Sequence, residues 1–159
     1  MKDYFNNFKK YAFRLELLQK YSVNEEKEDF ENFNKKGKVN PKINEEWHDI
    51  LIAAKKRGAK VIRAHVIKEP LSDYIKFELE HYKENKKYGE GALLISKEEF
   101  DKLNINIKRD FWLFDDNIVL EMNYDSDGHF LGFSQSKDIQ KYLDFKKMCE
   151  KADMSVKKK

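Results

Sequence analysis

A chain of 159 residues, 40% of them hydrophobic and 38% charged, has the size of one domain, with apolar bulk for one core beneath a densely charged surface. Its 32 Lys and Arg stand against 29 Asp and Glu, a net charge of +3 without the clustered basic excess of a generic nucleic-acid binder, which leaves nucleic acid open as a partner without pointing to it. Cys149 is the only cysteine and no window approaches 18 apolar residues, so the expectation is a cytoplasmic chain with no internal disulfide and no membrane partner.

Residues 2–10 carry Tyr4, Phe5 and Phe8 at helical spacing, and Phe13, Leu15 and Leu17 then alternate with Arg14, Glu16 and Leu18 as in a strand. The alternation puts Arg14 and Glu16 on one face, where an exposed ion pair is the simple expectation. Asn24 is placed to cap a helix over 25–35 that Gly37 stops, and Asn44 to cap a second. In that second helix Trp47, Ile50, Leu51 and Ala54 make one apolar face, ended by Gly58.

The span 60–67 reads as a strand with both faces half apolar, covered on both sides, so that Arg63 and His65 need partners. Pro70 with Ser72 or Asp73 starts the next helix. Residues 92–95 form a short strand, and Ser96 with Glu99 is a capping box. Strands at 110–114, 118–124 and 129–133 follow, joined by Asp115-Asp116-Asn117 and by Asp125-Ser126-Asp127-Gly128, before a last helix. The order predicts one α/β domain over 1–156. It has a mixed sheet of about five to six strands with helices on both faces, a C-terminal meander and helix, and a basic tail at 157–159.

Several strings resemble a known family: FRLE at 13–16, YSVNEE at 21–26, EPLSDYIKFEL at 69–79 and DFWLFDD at 110–116, in this order. The resemblance is to an uncharacterised bacterial family, domain of unknown function six-eight-seven-nine, over roughly residues 12–150. Members of that family often lie beside helix-turn-helix regulators, which implies a regulatory setting, and the family supplies no catalytic residues to carry over. At the level of element order the chain also resembles one half of a phospholipase D fold. That superfamily uses HxKxxxxD, and this chain has no HxK; in His65-Val-Ile-Lys68 the spacing is one residue too long, which on a strand sends the two side chains to opposite faces.

Three groups are candidate sites. Arg63 and His65, with Glu69, Ser72, Asp73, Tyr74 and Glu78, place cationic donors near a helix start, where a phosphate or carboxylate would bind; the alternative is an internal network in which Arg63 pairs with Glu78 or Asp73. Asp115 and Asp116, near Trp112 and Tyr124, offer adjacent carboxylates but are also ordinary turn residues. Aromatic residues beside Arg and Lys could stack bases or simply pack the core. No catalytic residue, metal or cofactor is assigned. The expected function is that of a non-catalytic binding or regulatory protein recognising a nucleotide, a phosphate-bearing small molecule or a protein partner. The competing expectations are a phosphodiesterase or nuclease working through His65, and a phage or mobile-element protein that blocks a host factor.

Overall fold

The structure, a computed structural model, describes residues 1–152; the basic tail at 157–159 lies outside them. Helix α1 (Lys2–Asn7) precedes strand β1 (Tyr11–Glu16). Helices α2 (Lys27–Lys36) and α3 (Glu45–Lys56), each entered through a short 3-10 turn, lead to β2 (Lys60–Ile67). Helix α4 (Asp73–Lys86) joins β2 to β3 (Glu90–Ser96), and α5 (Lys97–Lys102) follows. Strands β4 (Phe111–Phe114), β5 (Ile118–Tyr124) and β6 (Phe130–Ser136) form the meander, and α6 (Gln140–Ala152) ends the described chain.

The six strands make one mixed sheet in the order β3-β2-β1-β4-β5-β6. Strands β1, β2 and β3 are parallel, joined through helices, and β4, β5 and β6 run antiparallel from β1 outwards. The α/β sheet with helices on both sides is the architecture expected from the element order. Register then sorts the side chains. Phe13 pairs with Ile62 and Leu15 with Ala64, and these residues point towards α5 and α6, where Phe111, Leu113, Tyr142, Phe145 and Cys149 complete an apolar core. Arg14 pairs with Arg63 and Glu16 with His65, on the side covered by α1, α3 and α4.

Several local expectations are corrected. Arg14 and Glu16 are no exposed pair: each is 5% exposed, because β1 is central, with β2 on one side and β4 on the other. Helix α1 stops at Asn7, and α2 begins at Lys27 after a 3-10 turn, ending at Gly37 with φ +72. Asn44 stands at the cap position of α3 without capping it; its Nδ2 donates instead to His81 Nδ1 at 3.0 Å. Strand β3 starts at Glu90, and β6 extends to Ser136.

Two turns fix the frame of the site. Asp115 and Asp116 adopt φ of 51° and 65°, left-handed values that short polar side chains tolerate. The Asp115 carboxylate accepts from the backbone N–H groups of Lys9, Lys10 and Tyr11, tying the β4–β5 turn to the start of β1. Burial is the largest single influence and opposes that charge, but the three N–H donors together hold its pKa below the usual carboxylate value. At the β5–β6 turn, Gly128 O accepts from Ser22 N at 3.0 Å, and a Cβ on Gly128 would stand 2.7 Å from Lys20 O. Only glycine permits that approach, and it presses the segment after β1 onto the hairpin tip.

Candidate functional site

Helix α4 meets the sheet with its flank. Tyr74, Glu78, His81, Tyr82 and Asn85 are buried along it at near-helical spacing. Its start is closed by local bonds: Ser72 Oγ accepts from Ile75 N at 3.1 Å and donates to Gln19 O at 2.8 Å. Between the α4 flank, β1, β2 and the segment holding Tyr21 to Glu26 lies a cavity of about 240 Å³. Arg14, Glu16 and Arg63 reach it from the sheet, Glu78 and Tyr82 from α4, Gly128 from the β5–β6 turn and Phe130 from the start of β6.

The two arginines are held by different anions. Arg14 Nη2 donates to Asp110 Oδ2 at 3.2 Å and to Tyr124 Oη at 2.7 Å. Asp110 also accepts from Leu17 N and from the Tyr21 hydroxyl, three donors that suit an ionised carboxylate even though burial pushes its pKa up. Arg63 donates through Nε to Glu90 Oε1 at 2.9 Å and through Nη1 to Glu16 Oε1, and its guanidinium lies within 6 Å of the Trp47, Tyr82 and Trp112 rings. Glu90 accepts in addition from Trp47 Nε1. Burial alone would raise the Glu16 carboxyl; Arg63, with His65 and Arg14, brings it down to about 2. Burial likewise works against charge on both arginines, and their anionic neighbours more than restore it.

Around this centre the remaining polar groups are matched. His81 Nε2 donates to Asp29 Oδ2 at 2.9 Å. Asn44 Nδ2 can only donate, so His81 Nδ1 accepts, and the ring is neutral. Burial lowers the His81 pKa in spite of Asp29, in agreement with a neutral ring. His48 Nε2 bonds Asn85 Oδ1 at 2.9 Å. One atom is left over: among the described residues, Arg14 Nη1 is the buried side-chain polar atom with no hydrogen-bond partner.

Of the residues singled out from sequence, Arg63, Tyr74, Glu78 and Tyr124 line this cavity. Trp112 lies beside both arginines, with the Arg14 and Arg63 guanidinium carbons 5.7 and 5.8 Å from its ring. His65 is 1% exposed and lies off the cavity wall. Its Nε2 donates to Leu18 O at 2.7 Å and its Nδ1 faces Tyr82 Oη at 2.7 Å. Glu69 and Asp73 are exposed, Ser72 is the α4 cap, and Asp115 is the turn anchor. Arg63 pairs with neither Glu78 nor Asp73, the two partners expected for it.

The profile of a domain of unknown function, DUF6879, matches residues 1–153. The chain belongs to the DUF6879 family. No curated protein matches it.

What sequence reasoning missed in this DUF6879 chain is the set of partners: Arg14 and Glu16 on β1, Glu26, Glu90 and Asp110. The signal for Arg14 was present, since a charge in a run as apolar as Phe13 to Leu18 needs a buried counter-ion. That counter-ion stands 96 residues away. Asp125, Asp127 and His129 also converge at the β5–β6 turn, but Asp125 Oδ1 accepts from the N–H groups of Asp127 and His129, bonds that belong to the turn itself.

Proposed function

We propose that this protein binds a small polar molecule in the cavity between α4 and the sheet, and acts by binding, in a regulatory role, rather than by chemistry. The observation that carries this reading is Arg14. It is almost wholly buried at the cavity, its Nη2 is engaged, and its Nη1 has no acceptor. A buried donor left unsatisfied costs about 1–3 kcal/mol, more on a charged group, and a ligand oxygen would remove that cost.

Charge balance narrows the phosphate or nucleotide expectation. Arg14 is matched by Asp110, and Arg63 by Glu16 and Glu90, while Glu26 and Glu78 also face the cavity. The site offers a spare donor but no spare positive charge, so a ligand with an acceptor oxygen and little net negative charge suits it better than a phosphate dianion. The volume agrees: about 240 Å³ is below the roughly 300–1,000 Å³ of pockets for drug-sized ligands. A phosphodiesterase working through His65 draws no support from a ring whose two nitrogens face Leu18 O and Tyr82 Oη.

A thermal-shift panel of nucleosides, nucleotides, sugar phosphates, carboxylic acids and amides tests the reading. A true ligand at a hundredfold its Kd should raise the melting temperature on the order of 5–10 °C. Arg14→Lys keeps the cation beside Asp110 but deletes Nη1, and should abolish the shift. A flat panel, or an undiminished shift in Arg14→Lys, defeats the proposal.

A further inference from the structure

The cavity is lined by two kinds of group. One is Arg14, whose buried Nη1 is a donor without an acceptor. The other is Glu26 with Glu78, which among the described residues form no ion pair, although Glu78 is 8% exposed. Tyr74 lines the same cavity, and its hydroxyl donates to Glu26 Oε1 at 2.8 Å. A phenol has one proton to give, and that bond uses it. A buried carboxyl with no ion pair is then satisfied by a proton of its own or by a cation in that proton's place.

We propose that the ligand of this cavity is a molecule of amino-acid size carrying a protonated amine or amidine at one end and an acceptor oxygen at the other. The cation takes the place of the proton held at Glu26, Tyr74 and Glu78, and the oxygen accepts from Arg14 Nη1. This rests on the binding reading of the cavity and adds the charge of the occupant. The proton balance is simple: Glu78 enters as a carboxylic acid, the ammonium arrives, the carboxylate forms beside it, and one proton leaves to solvent. Burial, with the charges of neighbouring carboxylates, raises the pKa of both Glu26 and Glu78, as this exchange requires. Two rings of the wall, Trp47 and Tyr82, already lie against a cation, the Arg63 guanidinium.

Calorimetric titration of the full chain tests the assignment. Arginine and lysine serve as two-ended probes, agmatine and cadaverine as cation-only probes, and propionate and propionamide as acceptor-only probes. Each is measured at pH 6 and pH 8 in two buffers of different ionisation enthalpy. A two-ended probe should bind at least tenfold tighter than either one-ended set and release about one proton. Its affinity should rise by up to tenfold per pH unit while free Glu78 keeps its proton. Glu78→Gln, a neutral isostere, should erase the amine advantage and the proton release but leave acceptor-only affinity in place. Binding confined to neutral or anionic compounds, here or in the wider thermal panel, or binding without proton release, overturns the cation assignment alone. Silence from all probes together with a flat thermal panel overturns the binding reading as well.

Discussion

On one side of the sheet β1 and β2 present Phe13, Leu15, Ala64 and Val66 to Tyr142, Phe145 and Cys149 of α6; on the other, the intervening residues are Arg14, Glu16, Arg63 and His65. Both faces are largely buried, and both come from the same two stretches of alternating chain, six residues in β1 and eight in β2. The α6 face closes because its side chains need nothing but contact: Phe111 stacks edge-on against Tyr142 at 4.7 Å and packs on Phe145 at 5.9 Å. The α4 face cannot close the same way. Each buried charge there demands a directed partner, and the packing of Arg14, Arg63, Glu16, Glu26 and Glu78 leaves a cavity with one unmatched donor. The contrast separates a face that supplies stability from a face that holds specific chemistry at some expense of stability.

The sharpest way to break the comparison is on the apolar face. Phe111→Ala should cost about 3–5 kcal/mol in urea unfolding, with ligand affinity of the folded fraction unchanged. A loss below 1 kcal/mol would mean that the α6 face is not where the stability lies.

On the polar face Asp110→Ala should cost a comparable ~3–5 kcal/mol, because it strands Arg14, which already carries one unmatched nitrogen. Here the faces should differ in kind. Replacing both partners, Arg14→Met with Asp110→Leu, should recover part of the loss in the same urea experiment while ending ligand binding: the stranded cation is gone, but Leu17 N and the Tyr21 hydroxyl still lose their acceptor.

Gly128→Ala is a smaller probe of how the cavity wall is held. The new Cβ would meet Lys20 O at 2.7 Å from a φ of +86°, so a loss of roughly 1–3 kcal/mol is expected, with a weaker ligand shift because the segment at Ser22 is displaced. Equal melting curves and equal ligand shifts would show that the hairpin contact does not shape the site.

The smallest effect is the pH dependence of stability. The folded pKa of Glu78 is raised, so its contribution is full below the unfolded value near 4.5 and is lost as pH climbs towards the folded pKa. Glu16 runs the other way: its folded pKa of about 2 gives stability present above 4.5 and lost as pH falls to about 2. Urea midpoints of wild type and Glu78→Gln should therefore separate progressively above pH 4.5 in favour of the variant, by no more than about 1.4 kcal/mol per pH unit. Parallel profiles would show that Glu78 titrates alike in both states.

The elements were legible because their signals are local. The Ser72 cap, the Gly37 stop, the β2 span and the Asp115-Asp116 turn each depend on residues a few positions apart. Four of the sequence candidates, Arg63, Tyr74, Glu78 and Tyr124, do line the cavity, because alternation on β2 and helical spacing on α4 are also local rules. Ser72 and Asp73 fall outside it because α4 turns its flank to the sheet, a choice made by Tyr74, Phe77 and His81 packing against α2 rather than by the helix start.

The sequence by itself determined the class of fold, the strand that carries Arg63, and membership of DUF6879 through its ordered strings. It also put Arg14 and Glu16 on one face, because alternation is a property of any strand. Only the tertiary structure decided that this face is buried, that Arg14 is matched by Asp110 and Arg63 by Glu16 and Glu90, and that Tyr74 donates to Glu26. Those facts depend on β1 lying between β2 and β4. Strand order is set by crossovers and hairpins acting on the whole chain, and no short stretch of residues contains it.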